Sequence, residues 1–295
     1  MGKMYELVVI GNPTIHNGRL TGPSIYSAAT AAKIGFEQLA IVSSLGPELT
    51  DRFIHDIDAL GIPEHFIIEA NGKGAIQIQN PMVNTNGIVL GIPNKINIRD
   101  IPDEFLKTQS ILLSPSLQEI NAEFVEWICN STDALVFLDP QFRELNSKGH
   151  LEILREFSIA EKTQSYLDVI SPNQLESKLI TGESDPFLAA ELIVEWASEA
   201  CVITLGENGS LVYDGKDFII IPSYRTKEVD PIGAGAVYLA AFASQLINGK
   251  SLIDCGVYAS SVASLKVEHQ ALDFLINETE IKIRFDNVAS SVKSR

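Results

Sequence analysis

The sequence predicts an α/β fold built on a central, mostly parallel sheet, and three observations carry that expectation. Short apolar runs alternate with helix-period patterns along most of the 295 residues, as in successive βαβ units. Hydrophobic residues make up 45% of the chain and charged residues 20%, which supplies a core and excludes a disordered polymer. No repeat, linker or low-complexity stretch divides the chain, so a single domain over residues 1–295 is the economical reading.

The elements follow in order. Leu7–Ile10, Leu39–Ser43, Ile111–Leu113, Ala134–Leu138, Val169–Ile170 and Cys201–Leu205 read as buried strands. Pro47 opens a helix whose apolar face is Phe53, Ile54, Ile57 and Leu60, and Gly61 stops it. Asp185–Pro186 opens another, with Leu188, Leu192, Ile193 and Trp196 expected on its inner side. Two regions break the alternation. Ala75–Gln79 is apolar and polar by turns, and Asn86–Gly87 precedes Ile88–Leu90, which predicts a small antiparallel flap over residues 72–97. Ser210–Tyr213, Asp214–Gly215 and Phe218–Ile221 predict a second hairpin. The charge-free stretch from Pro231 to Gly249 contains three glycines, Ser244, Gln245 and Asn248, and reads as a buried helix rather than a membrane span.

The chain carries 22 basic and 38 acidic residues, a net charge of −16. Such a surface repels phosphate backbones and anionic lipid, so nucleic acid and membranes are excluded as partners. A single anion can still be held by main-chain N–H groups at a helix end. Cys129, Cys201 and Cys255 are too widely spaced for a CxxC pair, and Cys129 and Cys201, among apolar neighbours, read as small buried hydrophobes of a reducing compartment. The strand-like Tyr5–Ile10 follows Met1 almost directly, and the expected location is cytoplasmic.

The most informative segment is Asp230-Pro231-Ile232-Gly233-Ala234-Gly235-Ala236, which leads into the apolar run Val237-Tyr238-Leu239-Ala240-Ala241-Phe242. A turn of small residues opening a long helix points consecutive N–H groups and the positive dipole end at one spot, the geometry that a phosphoryl group needs. A glycine turn chosen for close helix packing would look the same.

This segment resembles the C-terminal signature of the ribokinase (PfkB carbohydrate kinase) family, D-T/P-x-G-A-G-D followed by an apolar helix, and further blocks fall in the family's order. Gly22-Pro23-Ser24-Ile25-Tyr26, ending in Ala32-Lys33-Ile34-Gly35, is similar to the GGPxxY form of the N-terminal block. Leu45-Gly46-Pro47-Glu48 resembles V-G-x-D, and Leu138-Asp139-Pro140-Gln141 with Arg143 resembles D-P-Q…R. Asn173-Gln174-Leu175-Glu176 matches N-x-x-E, Thr204-Leu205-Gly206-Glu207-Asn208-Gly209 resembles T-L-G-x-x-G, and Val267-Glu268 the late V-E.

The resemblance implies a three-layer ribokinase-like fold with a β lid formed by residues 12–23 and 72–97. It implies Mg-ATP-dependent phosphoryl transfer to a hydroxyl of a sugar, polyol or nucleoside. Gly233, Ala234 and Gly235 would form the anion hole, and Glu176 with Asn173 would help to hold Mg²⁺ through water. Thr204, Gly206 and Gly209 would border adenine and ribose, with Asp230 also on the cofactor side. Asn12, His16 and Gly22 would meet the substrate. A homodimer paired through the lid is the implied assembly.

The departures are as informative as the matches. Ala236 stands where the family carries its general base, an Asp. A methyl group cannot take a proton, and losing a positioned base costs about 10²–10⁴-fold in rate. Thr21 replaces the first Gly of the GG pair, His16 an Asp that binds substrate hydroxyls, Glu48 the Asp of V-G-x-D, and Ile232 a small polar residue. This accompanying drift favours a native loss of the base over a single engineered change. Two functions therefore compete: a kinase of impaired turnover, and a pseudokinase that binds nucleotide or sugar as a sensor. A dehydrogenase is disfavoured because Gly11-Asn12-Pro13 after the first strand lacks the GxGxxG turn.

Overall fold

Strands in the middle of this sheet are apolar on both sides because both sides are covered. In β1 (Leu7–Ile10), Leu7 and Val9 belong to one core cluster while Val8 and Ile10 belong to the other, the period-two alternation of a strand between two helical layers. The computed structural model describes residues 4–16, 18–70, 76–78, 89–90, 95–117, 119–141, 143–145, 151–153, 167–196 and 198–294.

After β1, the chain forms β2 (Thr14–His16), β3 (Arg19–Thr21), α1 (Pro23–Ile34), β4 (Leu39–Leu45), α2 (Pro47–Ala59), β5 (Glu64–Glu69), β6 (Ile76–Ile78) and β7 (Val89–Leu90). Next come α3 (Asp103–Leu106), β8 (Ser110–Leu113), α4 (Ala122–Ser131), β9 (Leu135–Leu138), β10 (Arg143–Leu145), β11 (Leu151–Ile153) and β12 (Leu167–Ile170). The remainder is α5 (Gln174–Thr181), α6 (Pro186–Trp196), β13 (Ser198–Thr204), β14 (Ser210–Tyr213), β15 (Phe218–Ile221), α7 (Ala234–Ile247), α8 (Leu252–Val267), α9 (Glu278–Ala289) and β16 (Lys293–Ser294).

Among the described residues, a 10-stranded sheet runs β16-β15-β14-β13-β12-β9-β8-β1-β4-β5. It is parallel from β5 to β13 and antiparallel from β13 to β16. Helices α1, α2, α7, α8 and α9 supply residues to the core on one face, and α3, α4, α5 and α6 to the core on the other. The expected three-layer α/β fold is therefore present.

The expected strands all form, and the Ser210–Tyr213/Phe218–Ile221 hairpin extends the main sheet, with Tyr213 opposite Phe218. The charge-free run folds as α7, with all residues from Ala236 to Ser244 buried. No helix among the described residues is long and apolar enough to cross a membrane. The three cysteines are free thiols; Cys201 is buried as expected, whereas Cys129, near the end of α4, is only half-buried.

Leu188 corrects the reading of α6: it is 48% exposed, and the buried residues are Ala189, Ala190 and Ile193. Small side chains at 189 and 190 let the helix approach the sheet closely, which turns Leu188 outward. A four-stranded sheet, β3-β2-β6-β7, stands apart from the main one. Within it β6 and β7 are antiparallel, whereas β6 joins β2 in parallel. The Asn86–Gly87 turn signal lies outside the described residues.

Candidate functional site

Parallel strands deliver their carboxyl ends to one edge of the sheet, and the order reverses around β1, with β4 and β5 on one side and β8, β9, β12 and β13 on the other. Open α/β sheets bind ligands outside the strand ends at such a switch point. Here a cleft of about 840 Å³ opens at that place. Its floor comes from residues just past the strands: Ser116 after β8, Asp139 and Gln141 after β9, Ser171 and Asn173 after β12, and Thr204 closing β13. Thr14, His16, Arg19 and Thr21 of β2 and β3 form one wall, and Gly233, Gly235 and Ala236 another.

The second wall is the start of α7. Gly233 caps this helix in the left-handed region at φ 85°, and a Cβ there would lie 2.5 Å from the Tyr26 ring, so only glycine fits. Gly233 O receives the Val237 N–H at 2.9 Å, and the Ala234 N–H turns back to Pro231 O at 3.1 Å. The N–H groups of Gly235 and Ala236 have no acceptor among the described residues, as expected of a helix's first turn. They are donors available at this wall, where the positive end of the helix dipole lies.

Asp230 braces the turn from behind. Its Oδ1 accepts the Ile232 N–H at 3.0 Å and its Oδ2 the Ala271 N–H at 2.8 Å, and Lys266 Nζ lies 3.2 Å from Oδ2. Burial pushes the Asp230 carboxyl up, but those N–H donors and the Lys266 ammonium outweigh it and hold the group below the usual carboxylate range. Asp230 lines the cleft, yet its carboxylate is committed to the protein's own donors.

On the strand-end side, Asn173 and Glu176 form a capping box at the start of α5. Asn173 Oδ1 accepts the Glu176 N–H at 2.9 Å, and Glu176 Oε2 accepts the Asn173 N–H at 2.8 Å. Both residues also line the cleft, as does Thr204, which bridges to Asn173 across β12 and β13. Gly206 and Gly209 do not line it; they shape the turn into β14, where a Cβ on Gly209 would lie 2.0 Å from Ile221 O.

The expected substrate residues divide. Gly22 and His16 line the cleft, and Gly22 caps α1 at φ 104° with its face against Thr14 and Ser116. Asn12 is fully buried behind the wall, its Oδ1 accepting the Ser44 N–H at 2.7 Å. Sequence reasoning missed the group that organises this region. Glu119 is buried and accepts N–H bonds from Asn12 at 3.0 Å, Ser116 at 2.6 Å and Leu117 at 2.8 Å. One carboxylate thus ties the loop after β1 to the loop after β8. Burial pushes the Glu119 carboxyl up against the pull of those donors. A lone acid in an otherwise polar loop gave no signal. The uncharged strand-end residues Ser116 and Ser171 were equally silent, although small polar residues just past apolar runs are where such folds place their sites.

The residues present fit a nucleotide and a hydrated cation. The Ser171 Oγ is buried at the cleft without a hydrogen-bond partner among the described residues, a polar atom that a ligand would satisfy. Among the described residues no group of three His, Cys, Asp or Glu side chains could hold a metal directly. Asp139 and Glu176 both line the cleft, which suits an ion held through water.

Cleft, helix-start donors and the carboxylates of Asp139 and Glu176 thus meet at one end of an α/β sheet. The sequence model described as "pfkB family carbohydrate kinase" matches residues 22–279, and the chain belongs to that family. A cytidine kinase of Thermococcus kodakarensis is 26% identical over 268 residues, covering 85% of this chain and 92% of that protein. Among solved structures, Arabidopsis thaliana ribokinase complexed with ribose and ATP superposes with a TM-score of 0.73 at 20% identity, covering 96% of this chain and 99% of that one. A pyrophosphate-dependent kinase in the ribokinase family, complexed with a pyrophosphate analog and myo-inositol, gives 0.75 at 17% identity over 94% and 99%. These two share the fold.

Proposed function

We propose that this family member binds the phosphates of ATP at the start of α7 and a sugar, polyol or nucleoside beneath the small β sheet, and transfers a phosphoryl group slowly. The observation that carries this reading is that the unaccepted N–H groups of Gly235 and Ala236 open onto the same cleft as Asp139, Ser171, Asn173 and Glu176. Backbone donors at a helix start are preorganised for charge that builds up on a transferring phosphoryl group. Asp139 and Glu176 would hold Mg²⁺ through water, and the ion would neutralise phosphate charge. Thr204 lies on the side left for the base and ribose, and His16 and Gly22 on the side left for the acceptor.

Ala236 lines the cleft, is 4% exposed, and offers only a methyl where an attacking hydroxyl would need a proton acceptor. Positioning and charge stabilisation remain, so turnover is expected to fall by about 10²–10⁴-fold without vanishing. The same residue favours the second reading, a pseudokinase that keeps its ligand sites without turnover. A panel of sugars, polyols and nucleosides that includes cytidine, assayed with ATP–Mg and with pyrophosphate, tests the first reading. Calorimetry with ATP–Mg and ADP tests the second, and no binding of either nucleotide would reject both. A homodimer paired through the small sheet belongs to this proposal, and light scattering that shows a monomer would remove it.

A further inference from the structure

A lysine with no exposed surface must find a partner for every proton it carries, because an unpaired buried ammonium is prohibitively costly. Lys266, in the last turn of α8, is 0% exposed. Its ammonium has three N–H groups and three acceptors: Asp230 O at 2.7 Å, Asp230 Oδ2 at 3.2 Å and His269 O at 3.4 Å. Its Nζ also lies 5.6 Å from the centre of the Tyr26 ring, the ring against which Gly233 packs. Nothing in the phosphate-binding chemistry requires this lysine to touch a ligand, and it does not line the cleft.

Its partners all belong to the machinery that shapes the turn. Val267 O accepts the N–H groups of Val229 at 2.7 Å and Asp230 at 3.1 Å, so the end of α8 grips residues 229 and 230 by their N–H groups while Lys266 grips residue 230 by its carbonyl and carboxylate. The Asp230 carboxylate then fixes Ile232 and Ala271 through their N–H groups.

We propose that Lys266 is a positioning residue, a built-in cation seated among the Asp230 and His269 carbonyls and the Asp230 carboxylate, which holds the Asp230–Gly233 backbone so that the Gly235 and Ala236 N–H groups face the cleft. The donor-binding half of this inference rests on the phosphate reading above, and the backbone half does not. The seat is shaped for one ammonium. Removing the side chain leaves two carbonyls and a carboxylate around a hole that a small alkylammonium ion can enter.

The test uses the full chain carrying Lys266→Ala or Lys266→Met, with amide hydrogen exchange and calorimetry against ATP–Mg and pyrophosphate. In Lys266→Ala, exchange over residues 229–236 is expected to accelerate by roughly tenfold or more while β1 and β8 keep their protection, and affinity for the phosphate probe to fall in parallel. Methylammonium restores both in Lys266→Ala, whereas Lys266→Met is not restored because its thioether chain fills the hole. Unchanged protection over residues 229–236 in both variants overturns the proposal. So does a loss of protection spread evenly over the sheet that methylammonium does not reverse, which would mark a general packing role. If Lys266→Ala fails to fold, Lys266→Met, which keeps an apolar stem and lacks only the ammonium end, carries the exchange reading. A parent protein that binds neither ATP–Mg nor pyrophosphate would overturn the phosphate reading, and the exchange data would still decide the role of Lys266.

Discussion

Gly233 and Tyr26 are in such close contact that a single added carbon on Gly233 would come within 2.5 Å of the Tyr26 ring. Tyr26 is 2% exposed and belongs to the main core cluster, so the ring cannot yield. The turn that presents the helix-start donors is therefore set by packing as well as by backbone conformation. Gly233→Ala meets both obstacles, since φ is 85° and a non-glycine residue there costs about 1–3 kcal/mol before any clash. Denaturant unfolding should show at least that loss, and phosphate affinity should fall with it. An alanine variant of unchanged stability would mean that the turn is not held as described.

Glu119 lets the acceptor side be probed away from the cleft. Its carboxylate accepts N–H bonds from Asn12, Ser116 and Leu117. Glu119→Gln replaces one oxygen with a donor and leaves at least one buried N–H facing another. The expected cost is about 1–3 kcal/mol, read by thermal or denaturant unfolding. Equal stability of the two proteins would contradict the bracing role.

The Asp230–Lys266 pair makes a pH-dependent prediction. The Asp230 carboxyl is held below the usual carboxylate range, so its stabilisation is present above the unfolded value near pH 4. It is lost as pH falls through the lower folded value. Removing one partner of a buried pair costs about 3–5 kcal/mol. Asp230→Asn should therefore be least stable relative to the parent near neutrality, with the gap narrowing below about pH 4. A gap that stays constant down to strong acid would show that the ionised pair contributes nothing.

Glu176 separates a structural role from a ligand-binding one. Glu176→Gln keeps a carbonyl oxygen for the Asn173 N–H, so the capping box survives and stability should change little. Magnesium prefers anionic oxygen in its hydrated shell, so the Mg²⁺ dependence of nucleotide affinity should weaken. Calorimetry with and without Mg²⁺ reads this directly. Unaltered Mg²⁺ dependence would leave Glu176 as a helix cap only.

Much of the fold was legible because buried parallel strands must be apolar on both faces, as Leu7–Ile10 and Ile111–Leu113 are. Helix ends were legible where one residue does one job, as Pro47 and Gly233 do. What escaped lacked a local pattern. Glu64–Glu69 is a strand at the sheet edge with mostly half-buried residues and charged ends, and β2 and β3 have three residues each. Leu188 was misplaced because two alanines, rather than the larger leucine, set the buried face of α6. At the site, motifs pointed to residues that line the cleft, such as Glu176 and Gly233. The braces behind them, Glu119 and Lys266, act through contacts 107 and 36 positions away in sequence, and no spacing rule could connect those.

Ala236→Asp, assayed beside the parent protein with ATP–Mg on a mixed panel of sugars, polyols and nucleosides, bears on the whole functional account. On the proposed reading of the helix-start donors and the cleft, placing a carboxylate at the first turn of α7 should raise turnover of at least one acceptor by about 10²–10⁴-fold. Nucleotide affinity should stay the same or weaken slightly, because a negative charge returns beside the phosphates. Equal turnover by parent and variant on every acceptor would contradict the claim that this chain is a phosphotransferase limited by its missing base.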